Sequence, residues 1–271
     1  AKGDQLRRIV EACQKSNTPY KILPGIGELI DGRVSVKLIR DINYEDLLGR
    51  SPVQLDIQGI RNYLDGKTIL ITGCGGSIGS ELCRQVMKYQ PRKLILLDLS
   101  ESSLFHIQME MQDASYGRPC EAVLGRVQNE DLMNHVFEKY KPDVVFHAAA
   151  YKHVPMLEKN PWEAVFNNII GSRVLMEVAV RHHVERFVVV STDKAVRPTN
   201  VMGASKRVTE LIMKCQQGNG TKLMAVRFGN VVGSSGSVIP FFRQQIERGG
   251  PVTVTHPEVN RFFMTIPEAS Q

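Results

Sequence analysis

The chain has 271 residues, of which 42% are hydrophobic and 23% are charged. This balance is ordinary for a globular protein and excludes the disordered and fibrous classes. The length suits one large domain, or one domain and a fragment. The net charge is +6, but the basic residues are scattered along the chain, so we expect no nucleic-acid partner.

Cysteine content and hydropathy indicate the compartment. The five cysteines are an odd number without metal-ligand spacing, which favours reduced thiols, a cytoplasmic location and no bound metal. No apolar run approaches the ~18 residues that span a bilayer, and no signal peptide is visible, so we expect no membrane contact by this chain itself. Because it opens without an initiator Met, we expect it to be part of a longer protein.

The residues up to about 65 form a separate zone. Residues 5–15 have helical periodicity, 20–23 have a short strand pattern, and 29–48 are irregular. Alone, this zone is too short and too mixed to bury much of a core. We interpret 1–65 as the remnant of an upstream domain or a packing appendage, 66–229 as the main domain, and 230–271 as the truncated start of a further region.

From Lys67 onward, apolar strands alternate with amphipathic helices. The predicted strands cover residues 68–72, 94–98, 122–124, 144–147, 187–191 and 224–228. The predicted helices cover residues 77–89, 100–112, 130–139, 161–181 and 201–216. This alternation predicts the α/β class, with a doubly wound parallel sheet that carries helices on both faces.

The loop after the first predicted strand has the spacing G-x-x-G-x-x-G. Gly73 permits a tight turn, Gly76 lets the backbone approach a pyrophosphate, and Gly79 lets the helix pack close to the strand. The first helical residues, Ser77 and Ile78, offer N–H groups to an anion. Glycines alone would be a weak signal, but in this strand–loop–helix context they predict a dinucleotide site.

Asp98 indicates which dinucleotide binds. It ends the second predicted strand, 19 residues after Gly79, where a carboxylate accepts a hydrogen bond from a ribose 2′-hydroxyl and repels a 2′-phosphate. The residues that follow, including Ser100 and Glu101, contain no Arg that would reverse this preference. We therefore predict NAD rather than NADP.

Small and basic side chains follow the fourth predicted strand. We interpret His147 as a strand-end histidine with satisfied hydrogen bonds rather than a base, and the three alanines at 148–150 as a surface for a flat cofactor. A basic pair such as Lys152 and His153 is usually solvated, but at this edge of the sheet it could hold substrate.

Residues 191–206 read STDKAVRPTNVMGASK and follow another apolar strand. Thr192, Asp193 and Lys194 place a hydroxyl, a carboxylate and an ammonium group in succession. The next predicted helix places Met202 and Lys206 four residues apart, on one face. Open α/β sheets bind ligands at the carboxyl ends of their strands, so we predict that this stretch is a catalytic edge.

These motifs, with HAAAYKHVP and an Asn-Asn pair in between, identify a family. From about Lys67 to its end, the chain resembles the extended short-chain dehydrogenase/reductase superfamily. Within it, the chain is similar to the bacterial, membrane-anchored UDP-N-acetylglucosamine 4,6-dehydratases that retain configuration at C5. The resemblance implies a Rossmann fold, NAD and a UDP-sugar substrate. We also expect a homo-oligomer, anchored as a full-length protein at the cytoplasmic face of the inner membrane.

Two residues depart from the superfamily pattern. Most members have Tyr-x-x-x-Lys, where the Tyr carries a proton, whereas this chain has Met202 four residues before Lys206. A thioether carries no proton, and a Met at helical spacing is more often core filler. The branch that this chain resembles is known for this Met, so it sharpens the assignment. Arg126 and Val127 stand where the superfamily usually has Asp-Val beside the adenine.

The resemblance implies an internal redox cycle. A hydride passes from C4 of the hexose to NAD, water leaves across C5 and C6, and the hydride returns to C6. It implies Asp193 as the acid at O6, Lys194 as the base at C5 and Thr192 as a hydrogen-bond partner of the sugar. Lys206 would hold the nicotinamide ribose, and Met202 would occupy the place of the Tyr. Near neutrality, these roles require Asp193 to be partly protonated and Lys194 partly neutral.

The remaining contacts are also implied by the resemblance. The cofactor is expected against Gly73, Gly76, Ser77, Ile78, Gly79, Asp98, Ser100, Glu101, Arg126, Val127, Ala148, Ala149, Ala150, Asn168 and Lys206. The sugar nucleotide is expected against Lys152, His153, Asn230, Ser235, Ser237, Val238 and Arg261. A glycine-rich turn near 230–240 suits phosphate oxygens, and a guanidinium matches them as well.

Three alternatives stay open at this point. The chain could be a UDP-sugar 4-epimerase or a dehydratase that inverts C5, although both are expected to keep Tyr where Met202 stands. It could also be an NAD-binding fragment with weak or no catalytic activity.

Overall fold

A computed structural model of the chain describes residues 8–9, 11–13, 15–16, 56–113, 119–234, 236–254, 256, 258 and 261–271. The chain divides into two compact units, Ala1–Gln54 and Leu55–Gln271. In the first unit, residues 8, 9, 11–13 and 15 are helical, as the periodicity predicts. The strand expected at 20–23 and the irregular stretch at 29–48 lie outside the described residues. The predicted boundaries at 65 and 229 stay predictions.

Six parallel strands form the central sheet of the second unit. They are β1 (Thr68–Thr72), β2 (Lys93–Asp98), β3 (Cys120–Leu124), β4 (Val144–His147), β5 (Arg186–Thr192) and β6 (Lys222–Phe228). Their spatial order is β3-β2-β1-β4-β5-β6, and every adjacent pair is parallel. The predicted α/β class and the doubly wound sheet are confirmed.

Helices connect the strands and complete the unit. They are α1 (Ile57–Leu64), α2 (Ser77–Met87), α3 (Glu101–Gln112), α4 (Glu130–Tyr140), α5 (Val154–Lys159), α6 (Pro161–Glu163), α7 (Gly171–Arg181), α8 (Val201–Cys215), α9 (Val238–Glu247) and α10 (Ile266–Ser270). A π-helical segment, Ala164–Ile170, joins α6 to α7, and a 3₁₀ turn, Asp193–Ala195, follows β5. Two short parallel strands, β7 (Asn230–Val231) and β8 (Phe263–Met264), pair beside the main sheet. Among the described residues, none of the helices is long and apolar enough to cross a bilayer.

Alternate residues of the inner strands enter two separate cores. On β2, Ile95 belongs to the cluster built around Phe137 and Phe187, whereas Leu96 belongs to the cluster on the opposite face. Both side chains are fully buried, as expected for a parallel sheet with helices on both faces. The pattern changes at the edge strand β6, where Leu223 is buried but Met224 is 39% exposed. The second face of the sheet is therefore more open at β6.

The strand order creates a crevice above β1 and β4. From β1 the chain proceeds outward to β2 and β3, then returns to place β4 on the other side of β1. The loops that leave the carboxyl ends of β1 and β4 consequently diverge. This is the switch point at which open α/β sheets bind ligands. The loops beginning at Gly73 and Ala148 lie there, and the motif after β5 lies on the next strand.

Candidate active site

The glycine loop after β1 has the geometry that its spacing predicts. Gly73 has a φ of +68°, and a Cβ at this position would lie 2.6 Å from the backbone nitrogen of Ala149. A Cβ on Gly79 would overlap the carbonyl oxygen of Gly73. Helix α2 starts at Ser77 after the N-cap Gly76, which provides no side-chain cap. The loop is thus tight and backbone-lined, and it ends on a helix N-terminus suited to an anion.

Asp98 stands at the end of β2, beside this loop. One carboxylate oxygen accepts a hydrogen bond from the Gly75 N–H at 2.9 Å, and the other accepts one from the Ser100 N–H at 2.9 Å. Each oxygen keeps a lone pair for a further donor. Ser100 itself is the N-cap of α3, and Glu101 is exposed.

A cleft of about 270 Å³ joins the glycine loop to Asp98, and we call it the glycine cleft. Its lining includes Gly73, Gly75, Gly76, Asp98, Ser103, Arg126, Val127, Gln128, Ala148, Ala149, Ala150, Tyr151 and Asn167. Most of the predicted cofactor residues therefore meet in one place. Sequence reasoning missed Ser103 and Gln128, which belong to no motif, although both lie within a few residues of a strand end.

Asn168 differs from its prediction as a cofactor contact. Its side chain is buried, where it accepts a hydrogen bond from the Tyr151 N–H and donates to the Tyr151 carbonyl and the Ser205 hydroxyl. It thus ties the loop after β4 to helix α8. The neighbouring Asn167 lines the glycine cleft instead and accepts a hydrogen bond from Gln128 at 2.8 Å.

His147 is a buried strand-end histidine, as the sequence predicts. Its two ring nitrogens lie 2.7 Å from Thr72 Oγ1 and 2.8 Å from Ser172 Oγ. Burial, with a smaller contribution from the positive charge of Lys206, lowers the pKa of His147 to about 3. It is neutral near pH 7 and both nitrogens are occupied, so His147 is not available as a base.

A second cleft, of about 350 Å³, opens at the ends of β5 and β6, and we call it the lysine cleft. Its lining includes Ile78, Ala148, Ala150, Lys152, His153, Thr192, Lys194, Met202, Lys206, Asn230, Ser234, Ser237 and Val238. Ala148 and Ala150 also line the glycine cleft. The two clefts therefore meet along the loop after β4, so one elongated ligand can reach from Asp98 to Lys206.

Thr192, Asp193 and Lys194 form a hydrogen-bonded group at the end of β5, and we call it the triad. Asp193 Oδ1 accepts hydrogen bonds from Thr192 Oγ1 at 2.9 Å and from Lys194 Nζ at 3.0 Å. Lys194 Nζ also donates to Asn230 Oδ1 at 3.0 Å. Thr192 and Lys194 line the lysine cleft, and the Asp193 side chain, 46% exposed, lies beside it.

The charge state of Asp193 differs from the one that its proposed role requires. Partial burial raises the pKa of this carboxyl, but the hydrogen bonds from Lys194 and Thr192 outweigh that effect, so the pKa is lowered. Asp193 is consequently ionised near neutrality and forms an ion pair with Lys194. In this arrangement Asp193 does not have the partial protonation that the acid role requires, because Lys194 lies within hydrogen-bond distance.

Met202 and Lys206 face the lysine cleft from helix α8 and are both buried. Lys206 Nζ donates to the Val190 carbonyl at 2.8 Å. Burial lowers the pKa of Lys206 to about 8, against an opposing effect of the nearby Glu210 carboxylate. Helix α8 comes close to the triad because Gly203 has no side chain: a Cβ there would lie 2.5 Å from the Lys194 carbonyl oxygen.

The residues predicted to hold the sugar nucleotide are only partly brought together. Lys152 Nζ donates to Ser234 Oγ at 3.3 Å, and burial lowers the pKa of Lys152. His153 and Val238 also line the lysine cleft, as does Ser237, whose buried hydroxyl has no hydrogen-bond partner among the described residues. Ser235 lies outside the described residues. Arg261 is exposed and does not line the lysine cleft.

An ionic network around the buried Glu210 carboxylate was not predicted. Glu210, on α8, accepts hydrogen bonds from Ser191 Oγ at 2.7 Å and Arg227 Nε at 2.7 Å. Arg207 lies 3.3 Å from the same carboxylate. The spacing along the chain predicts that Arg207 lies near Glu210, three residues later on the same helix. It does not predict that Arg227, on β6, contacts the same carboxylate. Within the described part of the chain, no cluster of His, Cys, Asp and Glu is arranged to hold a metal ion.

Two relatives of the chain are named as polysaccharide biosynthesis proteins. The probable polysaccharide biosynthesis protein EpsC of Bacillus subtilis is 50% identical over 270 residues. The capsular polysaccharide biosynthesis protein CapD of Staphylococcus aureus is 49% identical over 271 residues. Each alignment covers 98% of this chain but 45% of the relative, so the chain spans less than half the length of these proteins.

A solved structure agrees with the fold. The X-ray structure of Pen from Bacillus thuringiensis is 35% identical, with a TM-score of 0.71, over 77% of this chain and 64% of that one. Residues 69–271, which contain the sheet, both clefts and the triad, match the family described as polysaccharide biosynthesis protein. On this match and these relatives, the chain, with the fold of an extended short-chain dehydrogenase/reductase, belongs to the polysaccharide biosynthesis protein family.

Proposed function

We propose that the chain is the catalytic part of an NAD-dependent nucleotide-sugar 4,6-dehydratase. It would convert UDP-N-acetylglucosamine to the UDP-4-keto-6-deoxy sugar for polysaccharide or glycan synthesis. The observation that carries the proposal is the meeting of the two clefts. Thr192, Lys194, Met202 and Lys206 line one end of a surface that begins at the glycine loop and Asp98, and Asp193 lies beside that end.

NAD fits the residues of the glycine cleft. A side chain at Gly73 or Gly79 would collide with neighbouring backbone, so the bare loop leaves room for a pyrophosphate above the N-terminus of α2. Asp98 has acceptor capacity for a ribose hydroxyl, and Lys206 lines the lysine cleft, which joins the glycine cleft at Ala148 and Ala150. When bound there, NAD would supply reversible hydride acceptance.

The residues of the triad would orient the sugar and move protons. Thr192 can donate a hydrogen bond to a sugar hydroxyl if its bond to Asp193 is exchanged. A substrate oxygen between Asp193 and Lys194 would replace their direct hydrogen bond, while Lys194 stays bonded to Asn230. The hydrogen bond from Lys194, which lowers the pKa of Asp193, would then be lost, whereas burial, which raises this pKa, would remain. Substrate binding would thus favour the protonated acid at O6.

The other wall of the lysine cleft suits the nucleotide diphosphate. Lys152 adds a positive charge, and the unpartnered Ser237 hydroxyl adds a donor near the start of α9. Lys194 and Asn230 connect this wall to the triad through their 3.0 Å hydrogen bond. The sugar would therefore lie between the diphosphate contacts and Lys206. Met202, which lines the same cleft and cannot carry a proton, leaves proton transfer to the triad.

The test is turnover of UDP-N-acetylglucosamine by a protein of the relatives' length that contains residues 1–271, which we call the longer protein. We expect product lighter by one water, with configuration at C5 retained by NMR. Unchanged mass with a new galacto sugar would instead identify a 4-epimerase, and inverted C5 would identify the other dehydratase class. Comparing the longer protein with residues 1–271 alone separates a competent catalytic unit from a weak NAD-binding fragment.

Substitutions in the triad test the assigned roles. In the longer protein, Asp193→Asn and Lys194→Ala should lower kcat at least about 1,000-fold while NADH binding, measured by fluorescence, stays within about twofold. Lys214→Ala, an exposed position on α8, is the matched lysine control and should behave as wild type. Wild-type turnover in both triad variants would refute the assignment.

A further inference from the structure

Glu210 is a buried carboxylate that the proposed chemistry does not use. It is 3% exposed and lies on α8, one turn after Lys206. Its oxygens accept hydrogen bonds from both the Nε and Nη2 atoms of Arg227. These hydrogen bonds outweigh burial and lower the pKa of Glu210 to about 2, so it is ionised throughout the physiological range.

Besides Arg207 on its own helix, Glu210 has partners on the two strands that carry the site. Ser191, on β5, immediately precedes Thr192 of the triad and donates to Glu210 at 2.7 Å. Arg227, on β6, lies three residues before Asn230, which accepts from Lys194. Glu210 therefore connects α8 to the ends of β5 and β6. On β5 the next residue along the chain, Thr192, is hydrogen-bonded to Asp193, and on the β6 side Asn230 is hydrogen-bonded to Lys194.

The same carboxylate acts on the charge of Lys206. Lys206 Nζ donates to the Val190 carbonyl on β5, and its charge lowers the pKa of His147 on β4. Lys194 lines the same cleft, and Glu210 follows Lys206 by one turn on the same helix. His147 is neutral near pH 7. The Val190 carbonyl accepts a hydrogen bond from the ammonium, and Glu210 is the charged group that raises the pKa of Lys206 against the effect of burial.

We propose that Glu210 is a positioning residue that keeps Lys206 cationic and holds the ends of β5 and β6 in place beneath the triad. Arg227 moderates this effect, because its guanidinium neutralises part of the carboxylate charge. The proposal rests on the proposed function for the use made of Lys206, but the charge of Lys206 can be measured without turnover. Its alternative is a purely structural ion pair, of the kind that an uncharged pair can replace.

The experiment is competitive acetylation with trace acetic anhydride across pH, followed by peptide mass spectrometry. Lys206 lines an open cleft that a small reagent can enter, and the exposed Lys214 on the same helix is the internal reference. In the wild type, Lys206 should titrate near pH 8. In Glu210→Gln the titration should move down by about one pH unit, because two guanidinium groups remain without the carboxylate.

The direction in which the Lys206 titration shifts distinguishes an electrostatic role of Glu210 from a purely structural one. A purely structural role predicts that Glu210→Gln loosens the site, hydrates Lys206 and moves its titration up toward the usual value of about 10.4. An unchanged or raised titration in Glu210→Gln would therefore overturn the proposal.

A second pair of variants covers the case in which Glu210→Gln does not fold. Arg227→Gln should raise the titration of Lys206, whereas Arg227→Lys, which keeps the charge, should leave it near the wild-type value. Equal shifts in both variants would also overturn the proposal. NADH binding is measured on the same samples: absence of binding by the wild type would count against the proposed function, and the acetylation result would stand independently.

Discussion

His147 illustrates how a single buried residue makes stability depend on pH. Both ring nitrogens contact hydroxyls, and burial lowers its pKa from 6.5 to about 3. Between these values the unfolded chain binds a proton at this residue and the folded chain does not. Stability from His147 is therefore fully present above pH 6.5 and is lost as the pH falls toward 3.

The variant His147→Gln tests this linkage, since an amide can keep both hydroxyl contacts without titrating. The wild type should lose up to about 1.4 kcal/mol of unfolding free energy per pH unit from this group over that range. The variant should show a correspondingly shallower slope in urea denaturation at pH 4, 5, 6 and 7. Parallel slopes in the two proteins would mean that His147 is protonated in the folded state.

Residue-level prediction succeeded where chemistry depends on local order along the chain. Thr192, Asp193 and Lys194 are consecutive, and Met202 and Lys206 share a helix face, so their proximity follows from the sequence. Asn168 shows the limit. Regular helical spacing does not predict the π-helical segment 164–170, in which Asn167 and Asn168 are both buried and only Asn167 lines the glycine cleft. The lowered pKa of Asp193 likewise depends on side-chain contacts that no spacing specifies.

At the scale of elements, the junction of β1, its loop and α2 is a unit defined by close packing. Gly79→Ala places a methyl group against the Gly73 carbonyl oxygen, so the loop must move away from the proposed pyrophosphate position. We expect NADH affinity, measured by fluorescence titration, to fall at least about tenfold, which corresponds to about 1.4 kcal/mol.

The adjacent Ser80→Ala is the matched control for this loop. It lies on the same helix, and its hydroxyl makes one long hydrogen bond, at 3.3 Å, to the Ser77 carbonyl. Its NADH affinity should stay within about twofold of wild type. A Gly79→Ala variant that binds NADH as tightly as Ser80→Ala would show that the loop is not the pyrophosphate site.

The strands of the main sheet and the long helices between them were predictable, because the spacing of their hydrophobic residues indicates whether a segment is a strand or a helix. All six strands of the sheet lie within two residues of their predicted positions. The short helices α1, α5, α9 and α10 were missed, since five to ten residues carry little periodicity. For α10 a local signal existed: Thr265 and Glu268 form a capping box, with Pro267 in the first turn. Helix α10 was nevertheless missed, because five residues give almost no periodicity and the surrounding residues have weak helix and strand patterns.

At the scale of the whole molecule, burial on the two faces of the sheet predicts which side chains stabilise the fold most when single residues are replaced by Ala. Ile95 and Leu96 are neighbours on β2, point to opposite cores and are both fully buried. Replacing either by Ala should cost about 2–5 kcal/mol of unfolding free energy. On β6, Leu223→Ala should be similarly costly, whereas Met224→Ala, at 39% exposure, should cost less than about 1 kcal/mol.

Urea denaturation of these four variants measures the asymmetry directly. Near-equal losses for the β2 pair and unequal losses for the β6 pair would confirm that the second face is covered at the centre and open at the edge. A large loss in Met224→Ala would show that another part of the protein covers this face in solution.

The contact between Gly73 and Ala149 has a consequence for how the family can vary. The two loops that we propose to support the cofactor touch there through main-chain atoms, with 2.6 Å between a hypothetical Cβ and the Ala149 nitrogen. Any side chain at Gly73 would collide with the backbone of the other loop, so substitutions there are excluded by size, whatever their polarity or charge. A saturation library should therefore reject all nineteen replacements of Gly73 alike, whereas replacements at Asp193 should be ranked by their chemistry. Mutational tolerance alone would then distinguish the surface that supports the cofactor from the groups that carry out the reaction.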